Sequence, residues 1–173
     1  VAAARGGHVA DAKRLLADAR DVAIETGDFD LQARVDSTFA YLAADDSDLD
    51  HALDLIDRAL EFLGLTDATR GALLQQRATL LRRSGRAAEA LVAFDDSVRA
   101  LEGLPVELAN ALMNRGTVHL DTRDIDSAVR DFESAAEQYR EVGDLISAAM
   151  SDHNRGYALL SLIHISEPTR QAE

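Results

Sequence analysis

ANALMNRGTVHLDTRDIDSAVRDFESAAEQYREVG, residues 109–143, is the stretch whose reading decides the fold. Its second half carries apolar residues at Ile125, Ala128, Val129, Phe132, Ala135, Ala136 and Tyr139, the single stripe of an amphipathic helix. Its first half places Ala109, Leu112, Gly116 and Leu120 on one face, and Asp121 to Asp124 supply the turn between two antiparallel helices. Glycine inside a helix costs about 1 kcal/mol relative to alanine. Close approach of the partner helix at Gly116 offsets that cost.

The same arrangement recurs along the chain. Ala12, Ala52, Ala90 and Ala128 lie 40, 38 and 38 positions apart. Each is followed four residues later by a large apolar side chain (Leu16, Ile56, Phe94, Phe132) and seven later by a small one (Ala19, Ala59, Ser97, Ala135). A period of this length marks a helical-repeat solenoid, because one helix pair cannot bury its apolar face without stacking on neighbours. The expected fold is all-α, an α-solenoid of antiparallel helix pairs in 38–40-residue units near 1–27, 31–64, 68–103, 105–143 and 145–159. Helices are expected at 8–26, 31–44, 49–63, 68–84, 87–102, 105–121, 125–142 and 145–160. Gly27, Gly64, Gly103 and Gly143 each follow an apolar stripe and suit the left-handed residue that ends a helix. Pro105 suits a first helical turn, Thr66 or Asp67 an N-cap, and Arg5-Gly6-Gly7-His8 reads as a glycine turn in phase with Gly85.

Leu112, Asn114, Gly116, Ala128, Phe132 and Ala135 resemble, in register and residue type, the signature of a tetratricopeptide repeat. Leu74, Ala78, Gly85, Ala90 and Phe94 repeat it with Ser97 in the last place. Ala40, Ala52, Ile56 and Ala59 repeat it around a shorter, more acidic turn, and Asn154, Arg155, Gly156 and Tyr157 begin another unit. The resemblance implies that the first helices of successive units line a concave groove facing a ligand. The homologous positions are Arg34, Ser37 and Tyr41, then Gln75, Thr79 and Arg82, then Asn110, Met113 and Thr117, then His153 and Tyr157. So polar and nearly neutral a lining suits an extended or helical peptide, held by side-chain amides and anchored by Met113 and the tyrosines.

The unit length, the phrases ALMNRG (111–116) and DHNRGY (152–157), and the Arg-rich, Lys-poor usage resemble the repeat region of actinobacterial proteins that end in a caspase-like CHAT domain. This likeness covers residues 8–159 and implies a region that regulates or targets a cysteine protease whose His and Cys lie outside this chain. The sensor arm of a large transcriptional regulator is the alternative, with its DNA-binding part elsewhere.

Bulk composition agrees with an interaction scaffold. The 173 residues are 47% hydrophobic but only 5% aromatic, so the core is built mainly from Ala, Leu and Val. A net charge of −13 repels nucleic acid and anionic membrane surfaces, so the expected partner is a protein or peptide, or another domain of the same chain. Lys13 is the only lysine, a bias that a GC-rich genome explains. The absence of Cys excludes disulfides, thiolate metal sites and a cysteine nucleophile from these residues. With no secretory signal and no apolar run of roughly 18 residues, the expected location is cytoplasmic. The chain opens on Val1 and on a repeat helix without its partner, so the natural N-terminus is expected upstream.

The C-terminal stretch LSLIHISEPTRQAE, residues 160–173, departs from the period. Twelve residues after Gly156 the pattern calls for a small helix-interior residue, and the sequence supplies Pro168. This string resembles the translation of a sequencing adapter, and is expected to be a non-native or disordered tail.

Candidate chemistry is sparse. His8, His51, His119, His153 and His164 show no paired metal spacing. Asp45, Asp46, Ser47, Asp48 and Asp50 crowd one turn without the glycine and terminal glutamate of a calcium loop. No phosphate loop or nucleophile elbow occurs, and no carboxylate pair stands out as an acid–base couple. No catalytic, cofactor or metal site is therefore expected. Arg77, Arg115 and Arg155 recur at one repeat position. Their stems are expected to pack between units while the guanidinium groups pair with acids such as Asp95 or Asp96. The other reading is a row of donors for a partner's carboxylates.

Overall fold

The computed structural model describes residues 2–45 and 47–166, with side chains from 8 to 45 and from 47 to 162. Among these residues the chain forms eight helices and no strand: α1 (Ala2–Thr26), α2 (Phe29–Asp45), α3 (Leu49–Leu60), α4 (Asp67–Arg83), α5 (Ala87–Ala100), α6 (Pro105–Asp121), α7 (Ile125–Glu141) and α8 (Leu145–Ser166). Three hairpins result: α2 with α3, α4 with α5, and α6 with α7. Each second helix also packs on the first helix of the next unit, α1 on α2, α3 on α4, α5 on α6 and α7 on α8. The first helices touch one another directly, α2 with α4 and α4 with α6. The architecture is an α-solenoid of stacked hairpins.

Short turns with a left-handed residue make this stacking possible. Gly27, Gly64, Gly103 and Gly143 all adopt positive φ, between +69° and +90°. The turn inside each hairpin needs the same conformation, supplied by Ser47, by Gly85 and by Arg123 (φ +61°). Asp48 and Asp124 then cap α3 and α7, accepting from the amides of His51 and Ser127, and Thr66 caps α4 through Thr69. These capping bonds, with the nearby cations, hold the Asp124 carboxyl below its ordinary range. Asp48 thus has a structural task in the acidic turn. Asp46 lies outside the described residues.

The core follows the period. Ala52, Ile56, Ala59, Ala90, Phe94, Ser97, Ala128, Phe132 and Ala135 are all buried. At Gly116 the helices approach so closely that a Cβ there would sit 2.8 Å from Cε1 of Phe132. Ser97, in place of an alanine, satisfies its hydroxyl on the carbonyl of Gly71 at 2.9 Å. That glycine also admits Leu101, whose side chain occupies the space a Cβ would take.

Three expectations are corrected. The expected Arg5-Gly6-Gly7-His8 turn is absent: α1 runs unbroken from Ala2, because three alanines precede the glycine pair and favour helix propagation. α3 ends at Leu60, three residues early, and the chain turns at once toward Gly64. α8 continues past 160 to Ser166. The first seven residues assigned to the tail, 160–166, are therefore helical in backbone. Residues 167–173, including Pro168, lie outside the described residues.

One seam departs from the apolar rule. Asp36 stands where Leu74 and Leu112 stand in the next units, and it is buried. Arg20 of α1 reaches it at 3.0 Å. Burial pushes the Asp36 carboxyl above its ordinary value, and the attraction of Arg20 and Arg58 only partly counters this.

Two stability measurements follow from this packing. Gly116→Leu should lower stability by about 3 kcal/mol through overpacking against Phe132. Gly156→Leu, with nothing within 4 Å of the added Cβ, should raise it by up to about 1 kcal/mol through helix propensity. Thermal melting of both variants checks the assigned register. Replacing Arg20 and Asp36 together by Leu should be neutral or stabilising by about 1–4 kcal/mol. Because the folded pKa of Asp36 is raised, its contribution is most favourable below the ordinary carboxylate value and is lost as pH rises through the folded value. The advantage of the double variant should therefore grow from acid to neutral pH in parallel denaturation series.

Candidate functional site

The first helices present one side chain stripe each to a common face. Arg34 and Tyr41 on α2, Thr79 and Arg82 on α4, Asn110 on α6, and His153 and Tyr157 on α8 are exposed. Ser37, Gln75, Met113 and Thr117 are half-buried. The last four differ from the others for a physical reason.

Hydrogen bonds link equivalent places of successive first helices at offsets of 38 or 39 residues. Ser37 Oγ donates to Gln76 Oε1 at 2.5 Å, while Gln76 Nε2 donates to the Ser37 carbonyl at 2.8 Å. Asn114 donates to Gln75 at 3.2 Å, and Ser151 to the Met113 sulfur at 3.1 Å. Arg82 pairs with Asp121 at 2.6 Å, and Arg83 donates to the Ala44 carbonyl at 2.9 Å. Met113 also packs against both apolar clusters that join α6, α7 and α8. The expectation that Met113 stands in the groove as a free apolar anchor is therefore corrected: its side chain is mainly a joint between units. Thr117 and Thr79 bond back to the carbonyls of Met113 and Gln75, as helical hydroxyls do. Asn110 accepts from the Tyr139 hydroxyl at 2.6 Å.

Between the N-terminal halves of α2, α4 and α6 lies a cleft of about 550 Å³ lined by Asp30, Arg34, Ser37, Thr69, Ala72 and Glu107 among others. Asp30 is already engaged, accepting from the Thr66 amide and from the hydroxyls of Thr66 and Thr69. Burial opposes its ionisation, but those hydrogen bonds and Arg34 together hold its carboxyl below the usual range. Arg34 on one wall and Glu107 on the other are the outward charges, over a floor of Ala68 and Ala72. Small floor residues let a ligand backbone come close. Asp30, Ala72 and Glu107 went unread in the sequence, because each occupies an ordinary polar or small position with no periodic mark.

The arginine row lies in the seams. Arg77 pairs with Asp57 at 2.6 Å, Arg115 with Asp95 at 2.7 Å, and Arg155 with Glu133 at 2.8 Å. Every partner sits five residues after the repeat alanine of the preceding second helix, so the row is one contact repeated. Asp95 is thus a partner as expected, whereas Asp96 pairs with Arg99 of its own helix. Arg115 also grips buried Asp131 through two bonds, 2.9 Å from Nε and 2.6 Å from Nη2. The Asp131 bonds raise the Arg115 pKa above its ordinary value against the effect of burial. His119 lies 3.5 Å from Asp124 and 3.8 Å from Asp131, within the same cluster. Among the described residues, no three His, Cys, Asp or Glu side chains gather as a metal site, and no helix is long and apolar enough to cross a membrane.

With this geometry in hand, known proteins supply a fold match. The chain is similar to the crystal structure of BtubC (BKLC) from P. vanneervenii, with a TM-score of 0.68 and 17% identity over 91% of this chain and 76% of that one. No family model matches the sequence, and no curated protein matches it. The likeness is one of helical-repeat fold.

Arg115 and Arg77 should respond differently to truncation. Arg115→Ala leaves Asp131 buried without its cation and should lower stability by about 3 kcal/mol. Arg77→Ala removes a pair with a largely exposed Asp57 and should change stability by less than about 1 kcal/mol. Urea denaturation of the two variants distinguishes a seam from a ligand-facing row, for which both values would be small.

Proposed function

We propose that this chain is a non-catalytic interaction module of tetratricopeptide type, which holds a peptide segment or a neighbouring domain along the stripe of its first helices. The observation that carries the reading is a division of labour on that stripe. Residues that link neighbouring units, Ser37, Gln76, Gln75 and Asn114, are tied to each other, while Arg34, Tyr41, Thr79, His153 and Tyr157 stay exposed beside them. A rigid, pre-formed row of amides and hydroxyls beside exposed tyrosines suits a segment whose backbone needs partners and whose side chains need anchors. Exposed Asn and Thr side chains carry both donor and acceptor capacity. That suits recognition without a charged motif.

Unit length and the recurrent Asn-Arg-Gly phrases support placement in the repeat region of a larger CHAT-type protease of actinobacterial kind, acting in the cytoplasm to regulate or target that enzyme. Chemistry would then lie in the protease part. Within this chain the residues contribute shape and hydrogen bonding.

Panning a random peptide library against the full chain tests the reading. Enriched peptides are expected to bind with micromolar affinity and to lose about tenfold or more when Arg34, Tyr41 and Tyr157 are together changed to Ala, with an unchanged melting temperature. All three side chains are exposed, so the fold should tolerate the change. Enriched peptides that bind the triple variant equally well would place the binding surface elsewhere.

A further inference from the structure

Two residues of one seam break the apolar rule together. Arg20 stands where the later second helices carry Leu60, Val98 and Ala136, and Asp36 where the later first helices carry Leu74 and Leu112. The exchange puts two charges where α1 packs on α2. The Asp36 side chain is only 4% exposed, and Arg20 Nε lies 3.0 Å from its Oδ1. The N–H is not directed at that oxygen, so both atoms are buried without a hydrogen bond. Buried charges in that state cost free energy until something completes them. Burial accordingly holds the Asp36 carboxyl above its ordinary value.

Beside the pair is a cleft of about 370 Å³ lined by Arg20, Asp36, Arg58, Glu61 and Phe62. The early end of α3 shapes it. At the places equivalent to Leu60, α5 and α7 continue as helix to Ala100 and Glu141, whereas here Glu61 and Phe62 already belong to the turn. Phe62 packs on Phe29, with ring centroids 5.7 Å apart. Arg58 commits its Nε to the Asp54 carbonyl and its Nη2 to the Asp54 carboxylate. The lining thus offers two guanidinium groups, two carboxyl groups and one aromatic ring. All five residues lie on helices that face one another across the cleft or on the turn that ends one of them.

We propose that this cleft binds a free α-amino acid with an apolar side chain. The ligand's carboxylate meets Arg20 and Arg58, its ammonium meets Asp36 and Glu61, and its side chain lies on Phe62. Ligand sites span roughly 300–1,000 Å³, so a cleft of this volume suits a small molecule. Its two cations and two acids call for a zwitterion, because a simple anion or cation would leave like charges side by side. Arg20 Nε and Asp36 Oδ1 are 3.0 Å apart, so the ligand's opposite charges must be close neighbours, as they are on one α-carbon. Arg20 is itself 38% exposed, and a swing of its side chain admits the ammonium to Asp36. Both orphaned groups then gain charge-assisted hydrogen bonds. None of the lining residues belongs to the stripe of first-helix side chains, so the inference does not depend on the peptide reading.

Calorimetric titration of the full chain with L-leucine and L-phenylalanine tests this. At least one of them is expected to bind with a micromolar to millimolar Kd and to raise the melting temperature. Of the same amino acid, the N-acetyl derivative lacks the ammonium and the amide lacks the carboxylate. Each should bind about tenfold or more weakly, because it leaves one buried charge unmatched. Replacing Arg20 and Asp36 together by Leu should abolish binding with no loss of thermal stability. Arg58→Ala and Glu61→Gln change exposed residues, so each should weaken binding without altering the melting of the free chain. Tyr157→Ala, on the stripe, should leave binding unchanged. The proposal is overturned if neither amino acid binds at millimolar concentration, if the derivatives bind as well as the parent, if the double variant still binds, or if Arg58→Ala and Glu61→Gln both keep full affinity.

Discussion

Close packing of a small residue on one helix against a large apolar one on its partner is the constraint from which the rest of this molecule follows. Gly116 and Phe132 show it within one unit, and the equivalents Ala40 with Ile56 and Ala78 with Phe94 share one buried cluster. A helix pair fixed at that distance leaves its outer stripe uncovered. The next unit must cover it, so each second helix carries apolar side chains for two first helices at once. Stability is then a sum over neighbouring units.

Electrostatics repeat with the same period and serve a different purpose. Asp57, Asp95 and Glu133 occupy one position of successive second helices and meet Arg77, Arg115 and Arg155 on the first helices that follow. Each pair is partly exposed and contributes on the order of 0–1 kcal/mol. Their value lies in register: a one-turn slide of a helix would separate every arginine from its acid while leaving Ala and Leu faces nearly as well covered. Arg115 is the exception in strength, because Asp131 beneath it is buried and doubly bonded. The Arg20–Asp36 seam shows what happens without a periodic acid, since a carboxyl in a leucine position is shifted toward its neutral form.

Much of the fold was legible because helices announce themselves through spacing. Apolar stripes placed all eight helices, and Gly27, Gly64, Gly103 and Gly143 marked helix ends where the backbone turns left-handed. The turn over Asp121 to Asp124 was legible, but the left-handed residue within it was not, as arginine carries no local signal for positive φ. Gly6 and Gly7 misled in the opposite direction, because glycine permits a turn without requiring one. On the candidate face, position was legible and availability was not. Ser37, Gln75 and Met113 were placed on the right helices, but whether a side chain is free or bound to the next unit depends on contacts between residues 38 or 39 apart.

That distinction explains where information about a partner can reside. Residues that stack units must match from one repeat to the next, as Ala52, Ala90 and Ala128 do, and so carry no news about a ligand. Residues that neither stack nor link are free to differ. Along the exposed stripe Arg34 and Tyr41 on α2 give way to Thr79 on α4, then to Asn110 on α6, and then to Met150 and Tyr157 on α8. The scaffold positions stay constant across the same distance. The stripe therefore runs from a charged end near Arg34 to a more apolar end at α8, where Ile146, Met150 and Tyr157 are all exposed. A segment lying along it would meet different chemistry at each end, so its direction would be set by the sequence of the groove and its spacing by the period of the array.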